Sequence, residues 1–195
     1  MRYYLFLLVF LLGVTTSSKA VPWRSSQLDS ANTEKNNSLL SAQEKEAILY
    51  INLCRLYPQQ FIQNEVTPYK LPPGYSDPEL NQYKSTLIAT LKNRKPISAL
   101  RFDRELFNDV VCYSAEIAVN DIPPHQRIKC PKFRCAECIA YGFEDGRNIA
   151  LQLLIDSGVP SLGHRKICLD AKYTKVGIKN ATHFEYRFCS VLNFC

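Results

Sequence analysis

Between Cys135 and Lys166 the chain reads CAECIAYGFEDGRNIALQLLIDSGVPSLGHRK, and four of its seven glycines fall there. Glycine lets a backbone turn through positive φ or approach another group closely, so the chain must bend most tightly in this block. It opens near a carboxylate, Glu137, and closes near a histidine, His164. Between them Asp145 is placed as a helix N-cap ahead of Ile149, Leu153 and Leu154, Gly158 fits a helix stop, and Pro160 keeps the helix from resuming. A helix of about twelve residues spans roughly 18 Å, so the flanking segments must double back if Glu137 and His164 are to meet.

The hydrophobic period differs on the two sides of this block. Ser41-Ala-Gln-Glu44 is a capping box, and Ala47, Ile48, Ile51, Leu53 and Cys54 follow at helical spacing, which predicts a helix to about Tyr57 with Pro58 ending or kinking it. Pro68, Pro72 and Pro73 mark a connection. Asp77-Pro78 predicts the start of a second helix with a stripe of Leu80, Tyr83, Leu87, Ile88 and Leu91. Asp103 opens a third, with Leu106, Val110, Tyr113 and Ile117 on one face. After His164 the pattern alternates: residues 174–179 and 183–194 predict a hairpin turning at Asn180-Ala181-Thr182. Helices early and strands late give an α+β domain in which helices cover a sheet.

The first twenty residues obey different rules. Arg2, the apolar run Tyr3–Val14 and the ending Ser18-Lys19-Ala20 match a secretory signal cleaved after Ala20, and twelve apolar residues fall short of the roughly 18–20 that a spanning helix needs. The expected location is therefore outside the cell, or the periplasm of a Gram-negative host. Residues 21–40, rich in Ser, Asn and charge, are expected to form a flexible leader, leaving 41–195 as one domain. Cleavage removes Arg2 and Lys19 and no acid, so the formal charge of +6 falls by two. There is no run of five or six basic residues, and nucleic acid is not an expected partner.

Eight cysteines in an exported chain predict a disulfide framework: Cys54, Cys112, Cys130, Cys135, Cys138, Cys168, Cys189 and Cys195 are the candidates. One pairing is excluded. Cys189 and Cys195 lie on one predicted strand, where six steps of about 3.3 Å hold them far beyond disulfide reach. Cys135-x-x-Cys138 lacks the second pair of a structural zinc site and the strand–helix context of a redox motif, so both cysteines are read as structural.

Few residues are suited to catalysis. The chain has no H-E-x-x-H, P-loop, G-x-G-x-x-G or G-x-S-x-G, and Val159-Pro-Ser161-Leu-Gly163 lacks the first glycine of the last. It has three histidines, His125, His164 and His183, the last beside the predicted hairpin turn and read as surface. The chemically reasonable set is His125, Glu137 and His164, which suits a zinc or copper environment or a carboxylate-oriented imidazole.

AECIAYG resembles the G-E-N-I-A-x-G motif of the CAP superfamily, which comprises cysteine-rich secretory proteins, antigen five and pathogenesis-related group-one proteins, and shares the SCP domain. SLGHRKICL is similar to the S-x-G-H-R-x-N-I-L motif of its small bacterial members. EAILYINLCRLYPQQF resembles the opening N-x-x-R helix, and LRFDRELFNDVVCYSAEIA the L-x-x-D-x-x-L helix. The four matches occur in family order. The resemblance implies a three-layer α/β/α sandwich with a cleft lined by two histidines and two acids. Carried over, these match His125, Glu137 and His164, with Asp156 the nearest residue to the acid of the following helix. Ala136 and Cys138 depart from the motif's glycine and asparagine. The family also implies a binding or interaction module for a lipid, a sterol or a cell-surface ligand, with peripheral membrane contact at most and no required cofactor. The alternative is a metal-dependent, peptidase-like hydrolase with His125 and His164 on a divalent metal such as zinc and Glu137 as base. The residues favour binding over catalysis, since no nucleophile is paired with a base. Ligand and oligomeric state are not legible.

Overall fold

A computed structural model of the chain describes residues 21–120, 122–131 and 135–195; the expected signal segment, 1–20, lies outside them. The order is α1 (Ser25–Ala31), α2 (Ala42–Leu56), α3 (Pro58–Phe61) running on into a π-helical turn (Ile62–Val66), α4 (Leu80–Lys92), β1 (Arg101–Phe102), α5 (Arg104–Val119), β2 (Ala136–Tyr141), α6 (Gly146–Ile155), α7 (Gly163–Cys168), β3 (Lys175–His183) and β4 (Arg187–Phe194). Three helix starts are the predicted caps. Ser41 Oγ accepts the Glu44 N–H, and Glu44 accepts the Ser41 N–H at 2.8 Å. Asp103 accepts from Glu105 and Leu106, and Asp145 from Asn148.

The sheet order is β1-β3-β4-β2, with β1 parallel to β3 and the other pairs antiparallel. Alternate residues of each strand face opposite ways, and both faces are covered. On one, Ile139, Cys189 and Val191 pack against Val110, Tyr113 and Ile117 of α5. That helix lies so close to β3 that a β-carbon at Gly177 would collide with the backbone of Leu106 and Phe107. On the other face Cys138, Ala140, Ile178, Leu192 and Phe194 share one core with α2 and α6. The result is the expected three-layer α/β/α sandwich. Each fully buried Leu, Ile or Phe in it contributes about 1.5–3 kcal/mol of burial.

Several expectations are corrected. Residues 21–40 are not a flexible leader: Ala31 and Leu40 are buried, Trp23 Nε1 donates to Glu65 at 2.9 Å, and Asn52 Nδ2 donates to the Ala31 carbonyl at 3.0 Å. Polar side chains meeting backbone groups order this segment, a signal that its composition hides. The second predicted helix begins at Leu80, because Asp77 caps the turn before it by accepting the Glu79 N–H. Pro58 does end α2, but it also starts α3. Asp156, in the left-handed conformation at φ 57°, caps α6 ahead of Gly158. The hairpin turns at 184–186 and not at Asn180-Ala181-Thr182, which continues β3. His183 explains the shift, since its Nδ1 accepts the N–H groups of Glu185 and Tyr186 and so serves as the turn's cap.

Of the eight candidate cysteines four are paired, Cys112 with Cys130 and Cys135 with Cys195, and Cys189 and Cys195 are indeed not joined. Cys54, Cys138, Cys168 and Cys189 are free and buried. They fill the core as small apolar side chains. Burial pushes the thiols of Cys54, Cys138 and Cys189 up, the last to about 12.

Candidate functional site

Each cleft histidine is fixed by an acid. Loop 122–131 carries His125 at φ 67°, a left-handed conformation unusual for a residue with a side chain. The loop is stapled to α5 by Cys112–Cys130, and Glu116 of α5 accepts the N–H groups of Ile128, Lys129 and Cys130. This geometry places His125 Nδ1 3.0 Å from Glu137 Oε1 on β2. Opposite, His164 sits in the first turn of α7, with Nδ1 2.8 Å from Asp156 Oδ1. The other Asp156 oxygen accepts the Arg165 N–H at 3.1 Å, so this fully buried carboxylate is engaged at both oxygens.

The two pairs converge. His125, His164 and Asp156 line one cavity of ≈ 260 Å³, together with Tyr141, Gln152 and Ser157. The loop after α6 makes the turn back that the sequence requires. Glu137 is not part of that lining; it stands behind His125. A carboxylate only accepts, so each Nδ1 donates and Nε2 is left as the available ring nitrogen on both histidines.

Glu137 is held by a second partner that the sequence does not reveal. Arg127 bridges it to Asp109, donating to Glu137 Oε2 and, at 2.7 and 2.9 Å, to both oxygens of Asp109. Asn193 also donates to Asp109, and the guanidinium lies 4.4 Å from the centre of the Tyr113 ring. Burial alone would raise the Glu137 carboxyl, but the hydrogen bonds from His125 and Arg127 prevail and hold it below its ordinary value. Nothing in residue spacing links Asp109, Arg127 and Glu137, which come from a helix, a loop and a strand.

Two buried arginines brace the other wall. Arg55 donates to the carbonyls of Ser98, Cys168, Asp170 and Tyr173, which ties α2 to the end of α7. Arg165 donates to Leu154 O at 2.8 Å and Tyr83 O at 3.1 Å, locking α7 against α6 and α4. Polar residues within an otherwise apolar run, Asn52 between Ile51 and Leu53 and Arg55 between Cys54 and Leu56, are the available signal.

The remaining candidates separate. Ser161 is exposed and makes no hydrogen bond to His164, whose bond is to Asp156, so the two are not assembled as a nucleophile–base pair. His183 belongs to the turn, its ring stacked on Phe184 with centroids 4.8 Å apart. Among the described residues no group of three or more His, Cys, Asp or Glu side chains is placed to hold a metal, and no helix is long and apolar enough to cross a membrane. His125 and His164, each with Nδ1 tied to a carboxylate, are the residues lining the cleft that could offer an Nε2 to a metal.

No family model matches the chain, and no curated protein matches it. Among solved structures the chain is similar to an outer surface protein from Borrelia burgdorferi, with 17% identity over 62% of this chain and 94% of that one and a TM-score of 0.41. It is also similar to BmVAL-1, with 14% identity over 65% of this chain and 81% of that one and a TM-score of 0.36.

Proposed function

We propose that the protein is an exported CAP-type binding module whose ligand enters the cleft between His125 and His164. The observation that carries this reading is that two histidines from opposite walls, each paired with a carboxylate, border one cavity while both acids are already engaged. Glu137 is occupied by His125 and Arg127, and Asp156 by His164 and the Arg165 N–H. Groups bound in this way orient imidazoles; they are poorly placed to take up a proton from water as a general base. Two disulfides and the apolar leader support export. The test is a panel of sterols, phospholipids and glycans scored by native mass spectrometry with His125→Ala and His164→Ala controls. A saturable ligand lost in either variant supports the reading, and a panel without one contradicts it.

A metal-dependent hydrolase is the second reading, favoured by one feature: both Nδ1 atoms are tied to carboxylates, the arrangement that prepares Nε2 for a metal. His125 and His164 would hold the ion, which would supply an activated water. Stoichiometric zinc in the purified protein, lost in His164→Ala, would favour this reading.

A further inference from the structure

A second recess opens beside the histidine cavity and shares Tyr141, Gln152 and Ser157 with it. It has a volume of ≈ 250 Å³ and is walled by the rings of Tyr75 and Phe143, stacked with centroids 4.7 Å apart. Tyr75 Oη donates to the Gly142 carbonyl at 2.8 Å, which closes the 69–77 loop over the end of β2. Its polar groups are unusual. Gln152 Oε1 and Ser157 Oγ are buried without a hydrogen-bond partner, while the Gln152 amide nitrogen is spent on the Tyr141 carbonyl. Asp77 adds a carboxylate, of which Oδ1 accepts the Glu79 N–H. Among the described residues no lysine, arginine or histidine lines this recess.

Unpaired buried polar atoms are costly, about 1–3 kcal/mol each, so a complementary ligand regains that loss. Gln152 Oε1 and the Asp77 carboxylate only accept, and Ser157 Oγ has lone pairs to offer. Aromatic faces attract a cation. An anion would meet a carboxylate, and an alcohol brings one donor to three acceptors. A primary ammonium brings three donors and a positive charge. We infer that this recess binds the primary ammonium end of an alkyl chain, as on a free amine or a lysine side chain, and that it does so without His125 or His164.

The test titrates n-butylammonium, n-butanol and butanoate into the ¹⁵N-labelled, disulfide-intact protein, following the Gln152 side-chain amide and the Ser157 backbone amide. Saturable shifts are expected with butylammonium, about tenfold weaker binding with butanol, and none with butanoate, because only the ammonium makes charge-assisted hydrogen bonds. Asp77→Asn, a change in a loop, should weaken the amine several-fold with the spectrum otherwise retained. The His125→Ala/His164→Ala variant should bind it unchanged, which separates this site from the cleft reading. Equal binding of butanol, or shifts that never saturate, as for a recess that holds only water, would overturn the inference. Binding of Nα-acetyl-lysinamide as tight as butylammonium assigns the site to lysine side chains, and its exclusion assigns it to free amines.

Discussion

His164 and Asp156 meet at 2.8 Å because Asp156 closes α6 in a left-handed turn and His164 lies in the first turn of α7, so the chain reverses between them. The Asp156 backbone N–H closes α6 on the Gln152 carbonyl, while its carboxylate orients the imidazole and accepts the Arg165 N–H in α7, which makes the reversal part of the site. Replacing Asp156 with Asn keeps a residue that tolerates the left-handed conformation but only one of the two accepting oxygens. Asp156→Asn should therefore lower stability in a urea melt, but by less than Asp156→Ala. Asp156→Ala leaves the buried Arg165 N–H unpaired and should cost about 1–3 kcal/mol.

Arg55 is the stronger structural anchor. It is fully buried and serves four carbonyls, and burial lowers its pKa to about 10 without making it neutral at pH 7. Arg55→Met should destabilise the fold by about 3 kcal/mol or more, since several carbonyls lose their donor at once. Arg55→Lys should recover only part of that loss, because an ammonium lacks the planar fork. Equal stabilities of the two variants in urea would contradict this role.

The His125 wall depends on a cross-link that the His164 wall does not use. Cys112–Cys130 closes a loop of sequence separation 18, for which the chain-entropy estimate is about 3 kcal/mol. In a Cys112→Ala/Cys130→Ala variant, hydrogen exchange should accelerate over 122–131 while 146–168 keeps its protection. Uniform acceleration would show that the loop is not an independent unit.

Acid should loosen the same wall first. The carboxyls of Glu137 and Glu116 are held below their ordinary value of 4.5: burial opposes this in both, but hydrogen bonds from His125 and Arg127, or from the N–H groups of residues 128–130, outweigh it. Carboxylates depressed in the folded state stabilise it fully above their unfolded value, and that contribution is lost as pH falls through the lower folded value. Stability measured from pH 6 downward should hold to about pH 4.5 and then decline, with a shallower decline in Glu137→Gln.

The core cysteines give a counting test. Alkylation of the native protein should label none of the eight, and alkylation after unfolding without reductant should label Cys54, Cys138, Cys168 and Cys189. Labelling of fewer than four would mean that further pairs oxidise.

Local chemistry is the legible part of this chain. Ser41, Asp103 and Asp145 cap their helices as their spacing predicts, and the α5 stripe faces the sheet, because caps and periodicity are set within one turn. Asp109, Arg127 and Glu137 cannot be assembled from sequence, since their ion pairs join elements whose approach only the packed sheet defines. The order of residues 21–40 is hidden for a related reason. Their partners, Asn52, Glu65 and Leu100, are distant in the chain. His183 reads as surface in the sequence although it shifts the hairpin turn, because capping by an imidazole carries no spacing signature.

The central claim is that His125 and His164 both present Nε2 to one cleft while His183 does not. With three histidines in the chain, a long-range ¹H–¹⁵N correlation spectrum at a pH where the imidazoles are neutral resolves every tautomer. The predicted result is a proton on Nδ1 for His125 and His164 and on Nε2 for His183, whose Nδ1 accepts two backbone N–H groups. A proton on Nε2 of either cleft histidine would contradict the account.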